Sequence, residues 1–116
     1  MNIEVNIKDL SEMRYNSLGD YYEEGDNLIF DIVKRSKPIY TKLVLLHEII
    51  EQMVTEYKCI KECDILSFDL AHPDSDDAGF LPDAPYRNEH TLSDAVERIV
   101  CAYLGIDFNE YYNSQI

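Results

Sequence analysis

A chain of 116 residues is long enough for one domain with its own core, and its 46% hydrophobic content excludes a disordered protein. The formal net charge of −13 disfavours binding to nucleic acid or to an anionic membrane surface, and no apolar stretch is long enough to span a bilayer. The three cysteines form no C-x-x-C pair and the N-terminus has no signal-peptide pattern, so we expect free thiols and a cytoplasmic location.

The first third of the chain predicts a small sheet. Ile3, Val5 and Ile7 alternate with polar residues, which is typical of a half-buried strand. The segment EGDN around Gly25 has turn composition, and the strand-like sequence LIFDIV follows it, so we expect a hairpin there. We therefore predict an antiparallel sheet of two or three strands within residues 1–34.

The hydrophobic period then changes to that of helices. Pro38, which is favoured in a first helical turn, begins a motif helix that we predict over residues 38–58. A second helix is predicted over residues 89–104, followed by Gly105 as its C-cap and by an irregular tail. Together these elements predict a single α+β domain over the whole chain, with a small sheet followed by two main helices. The predicted apolar stripes are Leu43, Leu46, Ile50, Met53 and Tyr57 in the first helix, and Leu92, Ala95, Val96, Ile99 and Tyr103 in the second.

A long loop is predicted between the helices, over residues 66–88, after a short helix that begins near Lys61. Long loops in compact domains are often functional. Asp74 and Asp76 resemble the start of a calcium-binding loop, but the twelfth position is Pro85 and not a glutamate, so an EF-hand is excluded.

The motif helix contains the segment LLHEIIEQM, in which polar residues interrupt an apolar row. His47 and Glu51 are four residues apart and share one helix face, between Val44 and Val54. A buried carboxylate costs several kcal/mol unless it is paired or binds a metal ion. Glu48 lies roughly 100° around the same helix. The pattern H-E-x-x-E is similar to the zincin motif H-E-x-x-H, and a carboxylate oxygen binds zinc at nearly the distance of an imidazole nitrogen.

His90, at the start of the second helix, supplies the third candidate ligand. Together with His47 and Glu51 it gives two imidazoles and one carboxylate, the ligand set of thermolysin-like zinc hydrolases. We predict that these three residues bind a divalent metal ion, with Zn²⁺ as the first choice. A His–Glu pair buried for structure and a solvated polar face are the alternatives.

A series of segments from Gly19 onward carries a resemblance to a known family. In order, the segments are GDYY, LVLLHEIIE, FD, APYRNEH and AVERIVCAYLGIDFNEY. The series resembles a family of small, functionally uncharacterised proteins of tailed-phage, prophage and bacterial genomes. In that family a sheet precedes an H-E-(L/I)-x-E helix, and an F-D pair, a P-Y…H segment and an A-x-x-(I/V)-E helix follow. The resemblance implies a minimal zincin-like protein, and its motifs point to His47, Glu48, Glu51, Asp69, His90 and Glu97.

These features predict a zincin-like metal-binding protein that hydrolyses peptide or amide bonds. Glu48 would accept a proton from the attacking water, while Glu97 and Asp69 would orient the ligands. Asp69 and His72 are alternative ligands. The rival hypothesis is a non-enzymatic acidic interaction protein that mimics DNA or binds a basic host factor, with a structural or vestigial metal site. A DNA mimic should expose its carboxylates, whereas those of Glu48 and Glu51 lie inside an apolar pattern, and this favours the first hypothesis. Substrate, protein partner and oligomeric state stay open.

Overall fold

The chain begins with three strands and continues with helices, as the computed structural model shows for residues 1–73 and 77–114. The predicted α+β class is confirmed, and the motif helix and the second helix begin and end close to their predicted bounds. In the described residues the elements are β1 (Asn2–Lys8), β2 (Gly19–Glu24), β3 (Asn27–Val33), α1 (Pro38–Tyr57), α2 (Glu62–Ala71), α3 (Arg87–Leu104) and α4 (Phe108–Tyr112), with short 3-10 turns at Leu10–Glu12 and Ala78–Phe80.

β3 is the central strand of the sheet, and its segment LIFDIV is buried throughout. β2 and β3 form the predicted hairpin, with Gly25 in the turn at a φ of 61°, a conformation that glycine adopts without strain. β1 lies on the other side of β3 and runs parallel to it. The sheet is therefore mixed and not antiparallel throughout, because residues 9–18 are long enough to carry the chain across β3 to the opposite edge.

α1 packs on β2 and β3, and α3 packs beside α1 in the antiparallel direction. Two contacts define that direction, since Glu97 contacts His47 while Glu89 forms an ion pair with Lys58 at 3.2 Å. Two hydrophobic clusters form the core. The first is Tyr21, Leu28, Phe30, Ile65, Ala84 and Tyr86, and the second is Ile32, Tyr40, Leu43, Val44, Cys101 and Tyr111.

The buried faces of α1 and α3 differ from the predicted apolar stripes. Ile99 is 68% exposed and Tyr103 is 90% exposed, and Met53 and Tyr57 are exposed on α1 as well. The predicted stripe is correct at Leu43, which is buried in the core, and wrong at these exposed positions, because there the two helices turn their polar faces toward each other. The buried polar residues of these helices are Glu51, Gln52 and Thr55 in α1, and Glu89, His90, Ser93 and Glu97 in α3. No helix in residues 1–73 and 77–114 is long and apolar enough to cross a membrane.

The predicted loop over residues 66–88 is shorter than expected. The short helix predicted near Lys61 is present as α2, which continues to Ala71, and a 3-10 turn follows at Ala78–Phe80. Residues 74–76, which include both aspartates of the calcium-like pattern, lie outside the described residues.

The tail that we predicted to be irregular forms α4. Its N-cap is Asp107, whose side chain accepts a hydrogen bond from the backbone N–H of Glu110 at 2.9 Å. The buried Arg35 donates to the carbonyl of Tyr111 at 3.0 Å and also contacts Ser114. These bonds hold α4 against the core and place Tyr111 beside α3, where its hydroxyl reaches the candidate site.

Candidate metal centre

Three side chains from α1 and α3 converge on one point. Nε2 of His47 lies 3.1 Å from Oε2 of Glu51 and 3.1 Å from Nδ1 of His90. Nδ1 of His90 lies 2.7 Å from the same oxygen of Glu51. The four-residue spacing on α1 and the antiparallel packing of α3 thus bring the three predicted ligands together, and the group could hold a metal ion.

Each imidazole of the group has a carboxylate near its other nitrogen. Nδ1 of His47 is hydrogen-bonded to Oε1 of Glu97. Nε2 of His90 lies 2.7 Å from Oδ1 of Asp77, although it is buried without a properly directed hydrogen bond. Histidines that bind metal ions commonly have such a carboxylate on the remote nitrogen. Glu97 was predicted to lie close to the ligands, whereas Asp77 was not singled out from the sequence because nothing local connects it to His90.

Two tyrosine hydroxyls complete the hydrogen bonding of the carboxylates. Tyr21 donates to Oε1 of Glu51 at 3.0 Å, and Tyr111 donates to Oε2 of Glu97 at 2.5 Å. Burial and the neighbouring carboxylates raise the pKa of both phenols, so the hydroxyls remain donors. Both residues were missed because they come from β2 and α4, and a lone tyrosine gives no local signal of its partner.

Two further sequence candidates lie outside the group. Asp69 forms no direct bond to a predicted ligand, and it reaches the group only through Tyr86, whose ring packs edge-on against His90 with centroids 5.9 Å apart. His72 is not part of the group of three, and its Nδ1 contacts the carbonyl oxygen of Phe68 at 2.8 Å. The two tyrosine hydroxyls that donate to Asp69 are those of Tyr15 and Tyr86.

Glu48, the predicted general base, lies next to the group on α1. It packs so closely on Gly19 that a Cβ atom there would come within 2.6 Å of its Oε1. Burial, and after it the negative charge of Glu51, raise the pKa of Glu48 to about 8. A carboxyl group with this pKa can take up and release a proton near neutral pH.

The charges of the cluster bias one another's protonation. Burial alone would lower the pKa of both histidines, but the carboxylates beside them outweigh it. Hydrogen bonds to Glu51 and Glu97 raise the pKa of His47 well above its usual value, and Asp77 and Glu51 raise that of His90 to about 9. Burial would raise the pKa of Glu51, yet hydrogen bonds from both histidines lower it to about 2. The site therefore favours positive charge at its centre, which either protons or a metal ion can supply.

The cluster lines a cavity of about 810 Å³, which is within the usual range for small-ligand sites. Its walls come from α1, α2, α3, β2 and the segments that precede β2 and α3. Arg14 stands in one wall, where it pairs with Asp20 at 2.5 Å and lies 4.5 Å from the ring centre of Tyr22. The cluster is thus accessible to a molecule bound in the cavity.

Comparison with protein-family models, curated proteins and solved structures found no match for this chain.

Gly79 permits the position of His90, and this generates a prediction. A Cβ atom at Gly79 would lie 2.4 Å from Cγ of His90, so Gly79→Ala should displace the imidazole. We expect zinc affinity, measured by isothermal titration calorimetry, to fall by about tenfold or more. Gly25→Ala is the control, because it strains a positive φ but meets no neighbouring atom. That variant should lose stability and keep its zinc affinity, and equal affinity losses in both would contradict the role of Gly79.

Proposed function

We propose that the protein is a zincin-like, metal-dependent hydrolase of peptide or amide bonds, in which His47, Glu51 and His90 hold a divalent ion. The observation that carries the proposal is the carboxylate near the remote nitrogen of each imidazole, Glu97 for one and Asp77 for the other. An imidazole whose remote N–H faces a carboxylate presents the lone pair of its other nitrogen, and that lone pair is what a metal ion requires. As part of the same proposal, we group the chain with the zincin-like phage and bacterial family that its motifs resemble.

The donor atoms lie slightly closer together than the ligand atoms of a tetrahedral zinc ion. Zinc–ligand bonds of about 2.0–2.1 Å place neighbouring ligand atoms roughly 3.3 Å apart in a tetrahedron. The three donor atoms here are separated by 2.7 to 3.1 Å. Two of the three donors are nitrogen, whereas Ca²⁺ and Mg²⁺ prefer a shell of oxygen ligands. The donor set therefore favours Zn²⁺ or another transition ion.

Glu48 is the residue that we assign to proton transfer. A bound zinc ion would polarise the substrate carbonyl and make a water molecule more acidic. Glu48 then takes one proton from this water as its oxygen adds to the carbonyl carbon. When the C–N bond breaks, the same carboxyl group delivers the proton to the leaving nitrogen. The carboxyl group can carry the proton between the two steps because it is charged before the first step and neutral after it.

The first prediction tests the metal without a substrate. A metal ion at about 100 times its dissociation constant adds roughly 2.7 kcal/mol to the free energy of unfolding. For a domain of this size, that should raise the melting temperature of chelator-stripped protein by roughly 10 °C. His47→Ala should remove most of the increase, and His72→Ala should keep it because His72 lies outside the ligand group. If none of Zn²⁺, Mn²⁺ and Ca²⁺ changes the melting temperature of the wild type, a His–Glu cluster buried for structure would be favoured instead.

A second prediction concerns pH. In the metal-free protein the pKa of His90 is raised from 6.5 to about 9 and that of Glu48 from 4.5 to about 8. Both raised values stabilise the fold at low pH, and that stabilisation is lost as pH rises through the folded-state pKa. We therefore expect the melting temperature of metal-free protein to fall between about pH 4.5 and pH 9, through Glu48 from about pH 4.5 and through His90 as well above about pH 6.5. The increase caused by Zn²⁺ should grow over the same range, because the metal competes with protons for the ligands. An increase that does not change with pH would argue against coordination by these histidines.

A third prediction separates catalysis from metal binding. Glu48→Gln keeps the size of the side chain but cannot accept a proton, so metal-dependent stabilisation should remain while turnover falls by about 100-fold or more. Turnover is measured as new amines, detected by fluorescamine, after zinc-loaded protein is incubated with casein whose own amines are methylated. Glu56→Gln, an exposed change on the same helix, is the control. Unchanged turnover in Glu48→Gln would remove Glu48 from the mechanism, and a zinc-loaded wild type that releases no amines would favour the non-enzymatic alternative.

A further inference from the structure

β1 carries an apolar row that the helices of the described residues leave exposed. Ile3 is 63%, Val5 43% and Ile7 51% exposed, although the sequence predicted a half-buried strand. In the parallel register these residues stand beside buried residues of β3, so the row lies on the side of the sheet that the helices cover elsewhere. The row stays exposed because α1 packs over β2 and β3. The buried neighbours are Leu28, Phe30 and Ile32.

The backbone of β1 also has one open side. The N–H of Asn2 donates to the carbonyl of Asp26 at 3.2 Å, and the N–H of Lys34 donates to the carbonyl of Lys8 at 2.8 Å. The even-numbered residues of β1 therefore face β3, and the odd-numbered ones point their N–H and C=O groups away from the sheet. Within residues 1–73 and 77–114 no other strand pairs with that side. The outward groups belong to Ile3, Val5 and Ile7.

The two edges of the sheet are protected differently. On β2 the carboxylate of Glu62 accepts the backbone N–H of Glu23 at 3.0 Å and so occupies part of that edge. On β1 a lysine could discourage pairing with another strand, but Lys8 points toward the neighbouring strand, where it forms an ion pair with Asp31 at 3.1 Å. β1 also contains no proline or bulge, the usual devices against edge pairing.

We propose that β1 pairs antiparallel with β1 of a second copy of this chain, about a two-fold axis that passes beside Val5. In this register Val5 faces Val5 of the second copy and Ile3 faces Ile7. All of these residues have outward-pointing backbone groups, so each pair can exchange both of its hydrogen bonds. The two sheets then form one continuous sheet, and the two apolar rows join on one face.

Charge supports a second copy as the occupant. On the other face of the strand the same register places Glu4 directly opposite Asn6 of the second copy and Asn2 opposite Lys8, so no two like charges stand directly opposite each other. β1 carries one acidic and one basic residue, so the pairing edge has no net charge although each chain carries −13. The overall repulsion of two such chains is screened by salt, and the dimer should therefore be more stable at high ionic strength. A basic partner would show the opposite dependence on salt.

The inference is independent of the proposed function. β1 lies on the sheet edge opposite β2, and it is β2 that contributes Gly19 and Tyr21 to the surroundings of the candidate metal centre. A dimer with no hydrolytic activity and an active monomer are both possible results, so failure of one proposal leaves the other intact.

Sedimentation equilibrium at about 100 µM chain, in about 50 mM and 500 mM NaCl, tests the dimer. We expect twice the mass of one chain, and we expect the dissociation constant of the dimer to be smaller at the higher salt concentration. Val5→Lys places two ammonium groups opposite each other and should give the mass of one chain, with a cooperative melt that shows the chain is still folded. Met53→Lys is the control, since Met53 is similarly exposed but lies on the outer face of α1. A wild type that is monomeric at both salt concentrations, or a dimer that only Met53→Lys disrupts, would overturn the proposal.

Disulfide cross-linking tests the register itself. Paired residues at the two-fold axis have Cα atoms about 5.5 Å apart, which a disulfide can bridge. In a background in which the exposed Cys59 and Cys63 are replaced, Val5→Cys should form covalent dimers with diamide. Ile7→Cys, on the same face of the same strand, should not, because the two copies of residue 7 would lie about four residues apart along the strands, roughly 13 Å. Cross-linking of Ile7→Cys alone would exclude this register.

Discussion

Glu51 and Glu97 are buried between two helices, and a buried carboxylate costs several kcal/mol unless its oxygens are paired. Much of the structure meets this requirement. His47 lies between the two carboxylates, and its two ring nitrogens contact one each. Tyrosine hydroxyls from β2 and α4 occupy the remaining oxygens. The cluster thus connects the sheet, both long helices and the C-terminal helix by hydrogen bonds. These bonds are strong because they lie in a region of low dielectric constant, and losing one would leave a buried polar group without its partner.

The same requirement explains the orientation of α1 and α3. A surface helix usually buries its apolar stripe, and the periodicity of both helices predicted such stripes. Here the polar faces turn inward because only there can the histidines and carboxylates satisfy one another. Ile99 and Tyr103 are left on the outside as a consequence. The helices were predicted correctly as helices, and their buried faces only in part, since helical period does not say which of two faces meets the neighbouring element.

The chemistry that the cluster can perform follows from its surplus of negative charge. The carboxylates raise the pKa of both histidines, so the site attracts either protons or a metal ion. Two imidazoles with carboxylates near their remote nitrogens could hold such an ion together with Glu51, and Glu48 stands beside them with its pKa raised to about 8. The net charge of −13, which by itself also suits an acidic interaction protein, is thus partly used inside the molecule to build this site.

The sequence by itself determined the features that depend on neighbouring residues. The hairpin at Gly25, the bounds of α1 and α3, and the shared face of His47 and Glu51 all follow from turn chemistry and the period of the helix. His90 and Glu97 were selected as candidates by residue type and motif, but only the packing of α3 against α1 brought them to His47. The roles of Asp77, Tyr21, Tyr111 and Gly79, the parallel pairing of β1 and its uncovered apolar row were decided by the tertiary structure alone. The physical reason is that spacing within one element is fixed by backbone geometry, whereas contacts between distant residues depend on which surfaces pack together, and that choice is made by the whole chain.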